Sequence, residues 1–178
     1  MRITTDRAKR APEIGHSGER LVEDRKLKEK HHTQAGTAVC TRCGSIGLRK
    51  HWFAEPKLIE RYAADPTLRY ALCPGCDRTE KKHYEGEVLL ESPLLGENHE
   101  MVYGLIYHTA AKAYHDNPLS RIAVIQDEGN KIYMLTTSRT LAERLGKAFH
   151  RSFKGKLEIK PSPEEKYSIV HWRRNEIQ

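Results

Sequence analysis

The sequence predicts an α+β chain in two parts: a small module built on cysteines, then a sheet carrying helices. Three observations lead to this. The four cysteines fall in two Cys-x-x-Cys pairs. Beyond residue 84, apolar residues recur at strand and helical spacing in the order β-α-β-β-α-β, with one strand added. The charge changes at the same boundary: residues 1–82 hold 18 Lys+Arg against 11 Asp+Glu, and residues 83–178 hold 13 of each.

The pairs read Cys40-Thr41-Arg42-Cys43-Gly44 and Cys73-Pro74-Gly75-Cys76, with 29 residues between them. A two-residue gap lets two thiolates converge on one ion from a tight turn. Gly44 and Gly75 tolerate backbone conformations that other residues resist. Four thiolates fill a tetrahedral site and leave no open position. The expected ion is therefore a structural Zn2+ held by Cys40, Cys43, Cys73 and Cys76, although four thiolates suit iron as well. The separation exceeds the usual span of about 15–20 residues, so an insertion is expected between the knuckles. A lone pair would suit redox chemistry, but two pairs with no cysteine left over argue against it. Disulfides need an oxidising compartment. The start of the chain, Met1 to Arg7, lacks the apolar stretch of a secretory signal, so the chain reads as cytoplasmic. His51 and His83 read as surface or supporting histidines, not replacement ligands.

A length of 178 residues divides naturally into a basic N-terminal arm over 1–34, a zinc-ribbon-like module over 35–84 and an α+β domain over 85–178. No run approaches the ~20 apolar residues that cross a membrane, so no membrane partner is expected. The formal net charge of +7 lies wholly on the half with the cysteines. A basic surface on a small zinc module points to a polyanion, most often nucleic acid, while a solvated soluble surface is the plainer explanation. The arm has few sizeable apolar residues, which suits a mobile segment that orders on RNA; residues 18–32 are its candidate helix.

Within the module, residues 47–53 read as a short strand. Pro56 opens a helix with Leu58, Ile59 and Tyr62 on its apolar face, and Asp65-Pro66 ends it. Arg49, Lys50, His51 and Trp52 set positive charge beside an aromatic ring, a combination that contacts phosphate and stacks on bases. Of these, Trp52 reads rather as cover for the small core, and Arg49 and Lys50 as the surface pair. In the following domain, residues 87–90 form a strand ended by Ser92-Pro93. A helix over 98–115 has Asn98 as N-cap and Val102, Leu105, Ile106, Thr109 and Ala113 as its stripe. Strands over 121–126 and 131–136 form a hairpin through 127–130. A second helix over 139–153 is capped by Ser138 or Thr140, carries Leu141, Leu145, Ala148 and Phe149, and closes at Gly155. A last hairpin joins 156–160 to 167–172. This order is the ferredoxin-like βαββαβ arrangement with an extra C-terminal strand, two helices covering one face of an antiparallel sheet.

No catalytic constellation emerges. His99-Glu100 begins like a zinc-protease helix, but the fifth position is Tyr103. His83-Tyr84-Glu85 follows the second knuckle, whereas zinc deaminases place their His-x-Glu before it. Glu85 and Glu87 flank Gly86 and read as outward charges at a strand entrance. The sheet lacks the RNA-recognition-motif signature, with Tyr133 its one candidate stacking ring, and His171-Trp172-Arg173-Arg174 is a further basic-aromatic cluster.

The order Cys-x-x-Cys-Gly, a Trp-bearing segment, Cys-Pro-x-Cys and then Tyr84-Glu85-Gly86-Glu87-Val88-Leu89-Leu90 resembles a group of small bacterial zinc proteins, over about residues 38–173. Those are similar in turn to the N-terminal part of the Nmd-type adaptor of the large ribosomal subunit. Residues 131–137 followed by 141–145 are similar to that adaptor's strand-then-helix pattern. The resemblance implies contact with rRNA on a ribosomal subunit, zinc as scaffold and no chemistry. The expectation is thus a non-enzymatic, zinc-stabilised ribosome- or rRNA-binding factor of biogenesis or hibernation, with no small-molecule substrate. Arg42, Arg49, Lys50, Trp52, Arg78, Lys81 and Lys82 are the candidate nucleic-acid contacts. The alternative is a protein–protein interaction module built on the zinc ribbon.

Overall fold

The structure, a computed structural model, describes residues 37–48, 51–62, 65–162 and 166–175. The arm over 1–34 with its candidate helix, Arg49, Lys50 and the side chain of Ile59 lie outside the described residues.

The first part is a four-stranded sheet with two short helices. Its elements are β1 (Ala38–Cys40), β2 (Ile46–Leu48), β3 (His51–Phe53), α1 (Pro56–Tyr62), β4 (Arg69–Ala71) and α2 (Pro74–Glu80). The sheet order is β3-β2-β1-β4, with β4 parallel to β1. The stretch 47–53, expected as one strand, is two antiparallel strands with Ile46 opposite Phe53. The doubling back has a physical cause. Val39, Ile46 and Leu58 are buried together, and Phe53 must return to pack on them. The helix α2 was not foreseen in the second knuckle. Pro74 supplies a preset first turn, and the Cys73 sulfur accepts the amide of Cys76 as a cap would.

The second part holds β5 (Gly86–Glu91), a turn α3 (Leu94–Glu97), α4 (His99–Asp116), β6 (Ile122–Asp127), β7 (Lys131–Thr136), α5 (Arg139–Phe153), β8 (Lys156–Ser162) and β9 (Tyr167–Arg173). The sheet order is β6-β7-β5-β9-β8. The β-α-β-β-α-β order holds, but the added strand does not sit outside the sheet. β9 enters between β5 and β8 and runs parallel to β5, so the sheet is mixed where an antiparallel one was expected. Burial explains the outcome. Ser168, Val170 and Trp172 of β9 are buried, whereas Leu157 and Ile159 of β8 are only half-buried. The more apolar strand takes the inner place, and β8, with its lysines and Pro161, takes the edge.

Helices α4 and α5 join the core on one face with Val88, Leu90, Ile132, Met134, Val170 and Trp172. Trp172 is fully buried against Phe149 and Phe153, and its indole N–H donates to the Lys154 carbonyl at 2.5 Å. It is a core anchor, which removes it from the expected C-terminal basic-aromatic cluster. The α5 stripe is as expected. The α4 stripe is rotated: Tyr103, Ala110 and Tyr114 are buried, while Leu105 and Thr109 are half-buried. Asn98 and Ser138 precede their helices but make no side-chain cap, and Asn98 turns its amide back to the Leu94 carbonyl. No helix among the described residues is long and apolar enough to cross a membrane.

Candidate metal centre

The two knuckles are brought together by the parallel pairing of β1 with β4, which sets Cys40 beside Ala71, just before the second pair. In the first knuckle the Gly44 amide bonds the Cys40 carbonyl at 2.9 Å, and Gly44 has φ 71°, a left-handed conformation that favours glycine. The second knuckle is the first turn of α2. Gly75 there has no left-handed backbone. Its lack of a side chain allows close approach instead, because a Cβ would lie 2.9 Å from Leu119 Cα and 3.0 Å from the Pro118 carbonyl oxygen.

The sulfurs of Cys40, Cys43, Cys73 and Cys76 all lie within 4.8 Å of one another. Ideal tetrahedral Zn–S bonds of about 2.3 Å require sulfurs roughly 3.8 Å apart. Cys43 and Cys73 are 3.7 Å apart, which fits. Cys40, Cys73 and Cys76 are buried, and the amides of Cys73 and Cys76 point at the sulfurs of Cys40 and Cys73 at 3.2 and 3.4 Å. The donor set suits a thiophilic ion such as zinc in a closed structural site.

Three thiols share protons unequally. Hydrogen bonds from Cys73 and Cys76, with help from Ser45 and Arg121, hold the Cys43 thiol far below its ordinary range. The same bonds, with burial, push Cys73 and Cys76 up. A bound metal would take all four sulfurs as thiolates.

Arg121 was not foreseen. It stands at the start of the second domain's outer strand, yet its Nη2 donates to Cys43 Sγ at 3.0 Å and lies 3.7 Å from Cys73 Sγ. Its guanidinium lies over the Tyr114 ring, 4.6 Å from the centroid. Burial opposes its positive charge, but the charge it meets at the cysteine cluster, Cys43 foremost, outweighs that and holds its pKa above the ordinary value. The Tyr114 hydroxyl meets Ser45 Oγ at 3.2 Å, and Ser45 Oγ meets Cys43 Sγ at 3.1 Å. A metal-bound thiolate only accepts, so in a loaded cage Ser45 would donate to sulfur and Tyr114 to Ser45. Burial raises the Tyr114 pKa and keeps its proton in place for that role.

The other expected contacts are placed differently from one another. Arg78 bonds the Thr137 carbonyl at 3.0 Å and Glu85 at 2.8 Å, so it ties the module to the domain. Arg42 pairs with Glu80 at 3.3 Å and Lys81 with Asp77 at 2.9 Å, both near the surface. Lys82 is exposed with φ 55°. Trp52 is half-buried over Gly47 beside the cysteines and lines a cleft of about 410 Å³ between His51–Glu55 and the residues His115, Asp116, Asn117 and Leu119. His83 and His108 are exposed, and Tyr133 is half-buried. Sequence reasoning passed over Tyr70, which is 72% exposed on β4 beside the exposed Arg69. The signal was an aromatic next to a cation immediately before the second knuckle.

No known protein family, curated protein or solved structure matches this chain, so the resemblance described above rests on the residues quoted for it.

Proposed function

We propose that this protein is a non-enzymatic, zinc-stabilised factor that binds ribosomal RNA in the cytoplasm. The observation that carries this reading is the outer strand of the cysteine module. A closed thiolate cage offers no catalytic position, so its use is to stiffen what surrounds it. What it stiffens here includes β4, where Tyr70 stands out into solvent beside Arg69. An exposed ring on a rigid strand is a platform for stacking a base, and Arg69, the preceding residue and so on the opposite face of the strand, offers a separate contact to phosphate. Lys82 is exposed, and surface ion pairs such as Arg42–Glu80 and Lys81–Asp77 are worth only about 0–1 kcal/mol, so phosphate can compete for those cations. The charge excess of the chain lies on the same half.

A second reading, a protein-interaction module, is favoured by one observation. Among the described residues β4 pairs only with β1, so no strand among them takes its other edge, which suits an added one.

The test is sedimentation of tagged, zinc-loaded protein with cell extract through sucrose gradients at low and raised salt. The RNA reading expects comigration with ribosomal particles, weakened by salt and by Tyr70→Ala or Arg69→Glu. Protein found only in the free fractions at low salt would sink it. Salt-insensitive association with a single protein would favour the second reading.

A further inference from the structure

The contacts between module and domain gather around the cage. Arg121 reaches Cys43, Tyr114 reaches Ser45, Gly75 lies against the backbone of Pro118 and Leu119, and Arg78 reaches the Thr137 carbonyl. A short distance away the two parts separate across the cleft lined by Trp52 and His115. The dock is therefore narrow and centred on sulfur.

Arg121 is the charged member of that dock that meets the sulfurs. Burying a guanidinium is unfavourable unless a counter-charge with good geometry receives it. Its Nε has no hydrogen-bond partner among the described residues, so the bonds of Nη2 to the sulfurs must compensate. A divalent ion held by four thiolates leaves the cage net negative, which supplies that counter-charge. The ion also fixes the sulfurs in one place, so that the acceptor stays where the guanidinium needs it. In the other direction, a cation and a hydroxyl chain from the domain stabilise a negative cage that the module alone would leave to water.

We propose that metal retention and docking of the two parts are one coupled equilibrium, with Arg121 as the positioning residue that links them. Linkage makes the coupling reciprocal: whatever pries open the cleft loosens the metal, and loss of the metal releases the dock by the same factor. The protein thereby carries a metal-dependent hinge between its two parts.

The experiment uses the full chain loaded with zinc. Residues that support metal ligands typically change metal affinity by about 10–100-fold when lost. Arg121→Met is expected to lower zinc retention against a chromophoric chelator by about that factor, while cobalt-substituted protein keeps its tetrathiolate spectrum. Arg121→Lys is expected to restore part of the affinity, which a purely steric role would not predict. In the unmodified protein, chelation should speed hydrogen exchange at Leu119 and Ser120, whose amides bond within the docking loop at Asn117. The central strands β5 and β7 should stay protected. Arg121→Met should show the faster loop exchange with zinc still bound. Zinc affinity within twofold of the unmodified protein, or loop exchange unchanged by chelation, would overturn the proposal. The second measurement needs no variant and stands even if Arg121→Met fails to fold.

Discussion

Substituting Gly75 by alanine separates two opposed effects whose sizes the structure sets. Gly75 lies in the first turn of α2, with a backbone that alanine adopts freely. Local propensity alone predicts a gain of about 0.5–1 kcal/mol, because glycine loses more conformational freedom on folding. The new methyl, however, would meet Leu119 Cα at 2.9 Å, the Pro118 oxygen at 3.0 Å and Arg121 Nε at 3.1 Å. Two of these atoms are backbone, which cannot swing aside, and overpacking of this kind costs about 1–3 kcal/mol. The net expectation is a loss of roughly 1–2 kcal/mol. Gly104 supplies the control: it lies within α4, and a Cβ there would meet nothing within 4 Å. Gly104→Ala should therefore gain about 0.5–1 kcal/mol. Urea titrations of both variants, with zinc present, read the two signs directly. Gly75→Ala at least as stable as the unmodified protein would mean that the knuckle does not rest on the Pro118–Leu119 backbone, and the account of the dock would fall with it.

Metal content is the simplest further check. Purified protein should hold one ion per chain by mass spectrometry, and Cys73→Ser should lose it, whereas four freely reacting thiols in metal-free native protein would exclude the cage. Trp172→Ala removes a fully buried ring and its bond to Lys154, and should cost about 3–5 kcal/mol by urea denaturation. The acid limb of stability should depend on Glu91. Lys131 first, and then His171, bond its carboxylate and hold its pKa below the ordinary value. Its folded pKa lies below its unfolded one, so its contribution is present above about pH 4.3 and fades as pH falls through the folded value. Glu91→Gln should therefore reduce stability at neutral pH and flatten the loss on acidification, which denaturation at several pH values measures.

Much of the chain was legible from local pattern. Cys-x-x-Cys spacing announces itself within a few residues, and so does the α5 stripe, because both are set by neighbours in sequence. Arg121 was not legible, since its role depends on a fold that returns it to Cys43 across 78 positions. The strand order in the second sheet lay in between. Pro161 and the alternating Lys156, Glu158 and Lys160 suit the edge place of β8, and Trp172 the inner place of β9, but local pattern yields only their hairpin and sets Trp172 in a basic-aromatic cluster. The α4 stripe was misplaced because aliphatic residues were weighed above tyrosines, yet Tyr103 and Tyr114 bury their rings and direct their hydroxyls to Asp127 and Ser45.

The position of β9 bears on how the protein comes into being. Glu87 faces Ile169 and Leu90 faces Trp172 along the middle of the sheet. A ribosome making this chain delivers that inner ribbon after the sheet's other four strands, so β5 waits through the making of β6, β7 and β8 with one flank bare. The cysteine knuckles, by contrast, are complete by residue 76 and free to capture their ion early. The nascent chain would then carry a finished front end and an open back half, and a chain cut just before Tyr167 would leave a gap inside the sheet instead of trimming its rim.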